Sequence, residues 1–239
     1  MLVMGILNVT PDSFADGGRH NDFEAAVARG LEMIAEGVDI IDIGGESTRP
    51  GAERVSEEEE IARTIPVITE LAKHGVRISI DTMRASTAEA AIKAGASIIN
   101  DVSGGLADSE MLQTAARLQV PYIAMHWRGQ SKDMNSKAIY GDVVSDVISE
   151  LNERIQAALD AGIQKDKLII DPGLGFAKDA EHNWAIIDSI DRFVALGYPV
   201  LVGGSRKRFL GGETPDEREQ ATIELTKRLG TTGVWAVRV

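Results

Sequence analysis

One pattern recurs along the whole chain: a short run of Val, Ile and Leu, ending in a polar residue, then a loop, then a helical stretch. It starts with Met4-Gly5-Ile6-Leu7-Asn8 and the loop that follows, and it returns in eight apolar runs, at 2–8, 38–44, 76–81, 97–101, 121–126, 167–171, 199–203 and 233–239. Most of these runs show no alternation with polar residues. A strand of that kind is covered on both faces, as strands in parallel sheets are. Seven helical patterns lie between the eight runs. Strict βα alternation over eight strands predicts a single α/β domain spanning 1–239, a (β/α)8 TIM barrel. An open doubly wound sheet is the alternative. It would carry a Gly-rich dinucleotide turn after the first strand, which is absent here. A closed barrel has an eighth helix after strand eight, and the sequence stops at Val239, so the expectation is a barrel whose eighth helix is missing from this chain.

The helices carry their own punctuation. In the first, Phe23, Val27, Leu31 and Ile34 make an apolar stripe that Gly37 ends. The second opens Ser56-Glu57-Glu58-Glu59, a capping box whose acids form a solvated face, and Pro66 is expected to kink it or end its first segment. The third has Ser86 with Glu89 and stops at Gly95; the fourth starts near Asp108. The fifth, about 143–161, aligns Val147, Leu151, Ile155 and Ala158. The sixth runs about 180–196, and the seventh takes Thr214 as N-cap with Pro215 at the first helical position.

Composition narrows the function. An apolar share of 44% marks a globular chain, and with no cysteine there is neither a disulfide framework nor a thiolate metal site. No run reaches membrane-spanning length and no signal segment precedes the first strand, so the chain reads as soluble and cytoplasmic, with no membrane partner. A net charge of −12 argues against a nucleic-acid partner. An anionic substrate must then be drawn in by local basic groups.

In a barrel, the C-terminal ends of the strands converge on one mouth, where such folds place their chemistry. The polar residues there are Asn8, Asp42 with Glu46 beyond it, Asp81, Asn100 and Asp101, His126, Asp171, Ser205-Arg206-Lys207 and Arg238. Asp42, still inside its strand, reads as structural, and His126 as structural or a wall residue. Asp81, Asp171 and Asn100 suit the donor edge of a flat, nitrogen-rich heterocycle, since carboxylates accept N–H donors and an amide does both. Arg49, Arg206, Arg208 and Arg238 can grip phosphate or carboxylate in two-pronged fashion. Two Gly- and Pro-rich loops, 8–18 and 44–51, fit lids over a reaction that excludes water.

The stretches Gly5-Ile6-Leu7-Asn8-Val9-Thr10-Pro11-Asp12-Ser13-Phe14, Gly44-Gly45-Glu46-Ser47-Thr48-Arg49-Pro50-Gly51, Ser79-Ile80-Asp81-Thr82, Ile99-Asn100-Asp101-Val102, Asp171-Pro172-Gly173-Leu174-Gly175-Phe176 and Ser205-Arg206-Lys207-Arg208-Phe209-Leu210-Gly211 resemble those of the dihydropteroate synthase family, in the same order and over nearly the whole chain. The resemblance implies a homodimeric TIM barrel, a transferase of folate biosynthesis. Such an enzyme joins p-aminobenzoate to 6-hydroxymethyl-7,8-dihydropterin diphosphate, releases diphosphate, and is blocked by sulfonamides. It also implies residue roles. Asn8 would meet Mg²⁺ and the diphosphate. Asp81, Asn100, Asp171 and Lys207 would line the pterin pocket, with Met125 as its wall. Thr48 and Arg49 would approach the diphosphate and the amine. Pro50, Phe176 and Lys207 would frame the p-aminobenzoate site, and Arg238 would stand where the family has its anion-site arginine. Asp81 and Lys207 carry the catalytic expectation, Asp81 by stabilising a cation-like pterin. The family's histidine two residues past that arginine would follow Val239. A corrinoid-type pterin methyltransferase barrel and a pterin-binding protein without turnover are the competing readings. The diphosphate loops at 8–18, 44–51 and 205–211 speak against the first, and a turnover assay separates the second.

Overall fold

The apolar runs become eight strands, each shorter than or equal to its sequence signal: β1 (Leu2–Asn8), β2 (Ile40–Gly44), β3 (Arg77–Asp81), β4 (Ile98–Asp101), β5 (Tyr122–Met125), β6 (Leu168–Asp171), β7 (Leu201–Val202) and β8 (Ala236–Arg238). The computed structural model describes residues 1–10, 18–46, 55–129, 134–214 and 217–239. All strand pairs are parallel, in the order β6-β5-β4-β3-β2-β1-β8-β7. A parallel bridge between Ile170 and Val200 joins the two ends of that order, so the sheet closes on itself as a TIM barrel.

The helices are α1 (Gly18–Glu36), α2 (Glu57–Leu71), α3 (Ala85–Ala94), α4 (Met111–Leu118), α5 (Val143–Asp160), α6 (Ala180–Asp188), α7 (Ile190–Val194) and α8 (Glu217–Leu229). Four sequence expectations change. The sixth helical pattern is two helices, broken at Ser189, which caps the end of α6 and the start of α7. Of the two expectations for Pro66, a kink or the end of a segment, the second is not met: α2 runs on to Leu71, and the turn after Pro66 buries Val67, Ile68 and Leu71 completely. Ser86 does not cap α3: the helix begins at Ala85, whose N–H donates to Asp108 Oδ2 at 2.8 Å, so the cap comes from the next βα loop. The buried face of α1 is centred on Ala26, Gly30 and Met33, and Leu31 is exposed. Gly30 explains the shift. A Cβ there would lie 2.5 Å from Leu71 Cδ1, so only glycine lets α1 and α2 approach so closely.

Other signals hold. Ser56 Oγ accepts from Glu59 N–H at the start of α2, and Glu57 and Glu58 are exposed as a solvated face. Val147, Leu151, Ile155 and Ala158 of α5 are all buried. Thr214 Oγ1 accepts from Glu217 N–H at 3.3 Å before α8; Pro215 lies outside the described residues.

Two apolar cores result. The larger lies between the sheet and the helices, with Phe193 and Tyr122 its bulkiest fully buried side chains. The smaller fills the barrel: Met4, Ile40, Ile98, Ile123, Ile169, Leu201 and Ala236. Side chains along a strand alternate faces with period two. Two residues beyond this floor therefore stand Asp42, Asn100, Met125, Asp171 and Arg238, also facing the interior. The register of Ser79 with Ile98 brings Asp81 level with Asn100. The sheet thus sets a ring of polar groups directly on an apolar plug.

Candidate active site at the barrel mouth

The centre of the ring is Arg238. Its Nε donates to Asp42 Oδ2 at 2.6 Å and its Nη2 to Asp81 Oδ2 at 2.5 Å. Asn100 Nδ2 donates to the same Asp42 oxygen at 3.0 Å, which turns the Asn100 amide with its nitrogen toward Asp42. Asp42 is wholly buried, while Asp81, Asn100 and Asp171 keep a few per cent of their surface. The reading of Asp42 as structural holds in a stronger form, because it orients two groups of the pocket at once. Burial drives Arg238 the other way from its partners, yet the carboxylates of Asp42 and Asp81 win and hold its guanidinium protonated. Burial pushes Asp81 up to about 7, against the pull of Arg238. Asp171 is raised too, again by burial, while the Gly173 N–H donates to its Oδ1 at 2.7 Å.

Small residues keep this ring open. An ideal Cβ on Gly44 would sit 3.7 Å from both Asn8 Oδ1 and Asp81 Oδ2, and one on Gly203 would sit 3.8 Å from Arg238 Cβ and 4.0 Å from Asp171 Oδ2. Those two positions are strand ends without side chains, and they give access to the carboxylates.

Above β6, the Pro-Gly-Leu-Gly-Phe turn builds the outer wall. Phe176 N–H donates to Gly173 O at 3.1 Å. Lys207, from the loop after β7, donates to Leu174 O and holds its ammonium 4.7 Å above the Phe176 ring. That is a cation–π pairing, which keeps the ring and the ammonium side by side. Gly175 is required beneath it: its φ is +76° and a Cβ would lie 2.9 Å from Lys207 Cδ. Burial lowers Lys207 to about 8, so it is largely an ammonium at neutral pH. Met125 and His126 close the wall on the β5 side, where a Cβ on Gly173 would meet His126 O at 2.4 Å and Met125 Cγ at 3.3 Å.

The structure brings together Asp81, Asn100, Met125, Asp171, Phe176, Lys207 and Arg238 at one mouth, with Asn8 at its β1 side. Thr48, Arg49 and Pro50 lie outside the described residues, as do 11–17 of the first loop. The stems of the second loop are described. Arg84 pairs with Glu46 at 2.9 Å on one stem and donates to Val55 O at 2.5 Å on the other, while a second carboxylate, buried Glu60, anchors it. Arg63 donates to Gly45 O at 2.9 Å. Asp101 faces away from the mouth and ties the next loop, accepting from Ser103, Gly105 and Tyr122.

Sequence reading missed Glu60, Arg84, Glu150 and Lys178. Lys178 follows the Gly-Phe-Ala of the turn and reads there as an ordinary surface lysine. Glu150 stands next to Leu151 in an apolar helix stripe, which is the one signal that could have marked it. Among the described residues no three of His, Asp and Glu are grouped to hold a metal, and no helix is long and apolar enough to cross a membrane.

Fold and site together define a TIM barrel whose mouth gathers Asp42, Asp81, Asn100, Asp171, Arg238 and Lys207 above an apolar floor. Residues 4–239 match the model of the pterin binding enzyme family. A dihydropteroate synthase from Mycobacterium leprae is 47% identical over 247 residues, covering 99% of this chain and 87% of that protein. The dihydropteroate synthase of Xanthomonas albilineans solved with 4-aminobenzoic acid superposes with a TM-score of 0.93 at 45% identity, covering 100% of this chain and 86% of that one. The same enzyme in complex with 7,8-dihydropteroate gives a TM-score of 0.90 at 42% identity, covering 100% and 87%. The chain belongs to the pterin-binding enzymes, and within them to the dihydropteroate synthase family.

Proposed function

We propose that this mouth condenses p-aminobenzoate with 6-hydroxymethyl-7,8-dihydropterin diphosphate, the folate-pathway step that sulfonamides block. The observation that carries the residue assignment is the interior ring of Asp81, Asn100, Asp171 and Arg238, resting on an apolar plug with Lys207 and Phe176 at its rim. In the reaction the bond between the pterin methylene and the diphosphate oxygen breaks, and a bond from that carbon to the aniline nitrogen forms. The nitrogen loses one proton to solvent and diphosphate leaves.

Each residue has a part. Asn100 and Asp171 accept the N–H groups of the pterin edge, and Met125 packs on the ring. Asp81, as a carboxylate paired with Arg238, stabilises positive charge that develops on the pterin as diphosphate departs. Arg238 and Lys207 lie within the barrel mouth to attract the anionic groups. Lys207 and Phe176, with Pro50, frame the p-aminobenzoate site, the ring meeting the aromatic face and the ammonium meeting the carboxylate. Thr48 and Arg49 approach the diphosphate. An aromatic amine is already neutral at pH 7, so no strong general base is needed. His126 suits that absence, because burial and Lys178 lower it to about 4 and keep it a neutral wall residue.

Mg²⁺ is the cofactor in this proposal. Asn8, whose Oδ1 lies beside the open Gly44 position, would hold it through one hard oxygen, the donor type Mg²⁺ prefers, and few protein ligands are needed because the ion retains waters and phosphate oxygens in such sites. When bound, the ion neutralises the leaving diphosphate. In this reading the chain folds as one domain over 1–239, pairs as a homodimer and works in the cytoplasm.

The test is turnover with both substrates, with and without Mg²⁺, reading diphosphate release and dihydropteroate together. Mg²⁺-dependent, stoichiometric formation of both products is the expected result. Pterin binding without either product would overturn the catalytic reading. Light scattering on the eluting peak checks the dimer.

A further inference from the structure

Lys178 is one of the buried titratable groups that the mechanism leaves unused. Its Nζ makes three contacts: His126 Nδ1 at 2.9 Å, Gly173 O at 3.1 Å and Phe176 O at 3.1 Å. Those two carbonyls are the ends of the turn that carries Phe176. The turn is therefore gripped from two directions, by Lys178 at its ends and by Lys207 at Leu174 O in its middle. Burial opposes a charge at Lys178 and lowers it to about 7.

The grip continues outward. With Nδ1 accepting from the lysine, His126 carries its proton on Nε2 and donates to Glu150 Oε2 at 2.9 Å. Glu150 is fixed in turn by Arg128, whose Nε lies 3.0 Å from Oε2. Arg128 stacks 3.8 Å over the Tyr140 ring and donates to Ile139 O at 2.6 Å. Tyr140 closes the circuit, its hydroxyl donating to Ala177 O at 2.9 Å. Ala177 has a φ of +49°, a left-handed conformation that a non-glycine residue adopts only where its surroundings impose it.

We infer that Lys178 is a positioning residue for the amine-substrate pocket: seated on His126 and Glu150, it holds the Gly173–Phe176 turn so that Phe176 faces Lys207. This rests on the reading of Phe176 and Lys207 as the frame of the p-aminobenzoate site. The pterin edge depends on the grip less, because Asp81, Asn100 and Asp171 are on paired strands of the barrel and the turn reaches that edge through the Gly173 N–H bond to Asp171 Oδ1.

The experiment is steady-state kinetics on three variants of the full chain, with the concentration of each substrate varied separately. Lys178→Met keeps the stem and removes all three donors. Loss of charged hydrogen bonds of this kind predicts a rise of about tenfold or more in KM for p-aminobenzoate, with KM for the pterin diphosphate within about twofold. Glu150→Gln weakens the seat from a partly exposed position, with little risk to folding. It should raise the same KM by a smaller factor and leave the other unchanged. Phe176→Ala tests the pocket reading itself. A KM rise in Phe176→Ala with none in Lys178→Met overturns the inference alone. No rise in either overturns both. An equal loss toward both substrates, or a lower melting temperature with both KM values intact, also overturns it. Should Lys178→Met fail to fold, Glu150→Gln decides: an unchanged p-aminobenzoate KM refutes the inference.

Discussion

Replacing Asp81 by asparagine separates the function of this carboxylate from its contribution to stability. The carboxyl is buried and rises from the ordinary aspartate value of 3.8 to about 7 in the fold. Between those values the folded chain keeps a proton that the unfolded chain has released. Stability contributed by this group is therefore full below pH 4, falls as pH rises toward 7, and is flat above. Ionising the group at neutral pH therefore costs on the order of a few kcal/mol. Asparagine removes that cost. It also weakens the bond from Arg238 Nη2, a charge-assisted contact worth about 1.5–3 kcal/mol, while Arg238 keeps Asp42 at 2.6 Å. The two effects oppose each other, so the net change should stay within about 2 kcal/mol, and the fall in stability between pH 5 and 7 should flatten. Activity should not be spared. Loss of one preorganised charge-stabilising group costs about 2.7–4 kcal/mol, or roughly 10²–10³-fold in kcat. Urea unfolding at pH 5 and pH 7 measures the first, and single-turnover product formation the second. A folded Asp81→Asn chain with near-normal turnover refutes the role given to this carboxylate.

Lys207→Ala should weaken both substrates, and Lys207→Arg should not restore p-aminobenzoate binding, because a planar fork cannot replace a point donor wedged against Gly175 and Leu174 O. Since burial brings Lys207 to about 8, p-aminobenzoate affinity measured by calorimetry should fall as pH passes 8, and Lys207→Ala should lose that step; a fully active arginine variant contradicts this geometry. Gly173→Ala forces a Cβ to within 2.4 Å of His126 O at a φ of +69° and should cost about 1–3 kcal/mol of backbone strain, seen as a lower melting temperature together with weaker p-aminobenzoate binding; an unchanged melting curve shows that the turn yields freely.

Much of the fold is legible because a parallel strand buried on both faces has a one-dimensional signature. The apolar run at 2–8 matches β1 to the residue, and the other runs overshoot their strands by one to three positions at the ends, where apolar residues continue past the last ladder hydrogen bond. The sixth helical pattern misleads because apolar residues continue in helical spacing across Ser189, and only packing separates α6 from α7. Leu31 misleads because a stripe of large residues marks it as buried, whereas α1 approaches α2 through its smallest residue, Gly30.

The sequence by itself determined the barrel and the identity of the polar residues at its strand ends. Those follow from periodicity, and from the two-residue step that sets Asn100, Met125, Asp171 and Arg238 beyond the inward-facing Ile98, Ile123, Ile169 and Ala236. Tertiary structure alone decided how those groups pair. Arg238 meets Asp42 across 196 residues and Asp81 across 157, and Lys178 meets His126 across 52. Such pairings leave no local trace, because they depend on the closure that brings β8 beside β1 and on burial, which makes an unpaired charge too costly to keep.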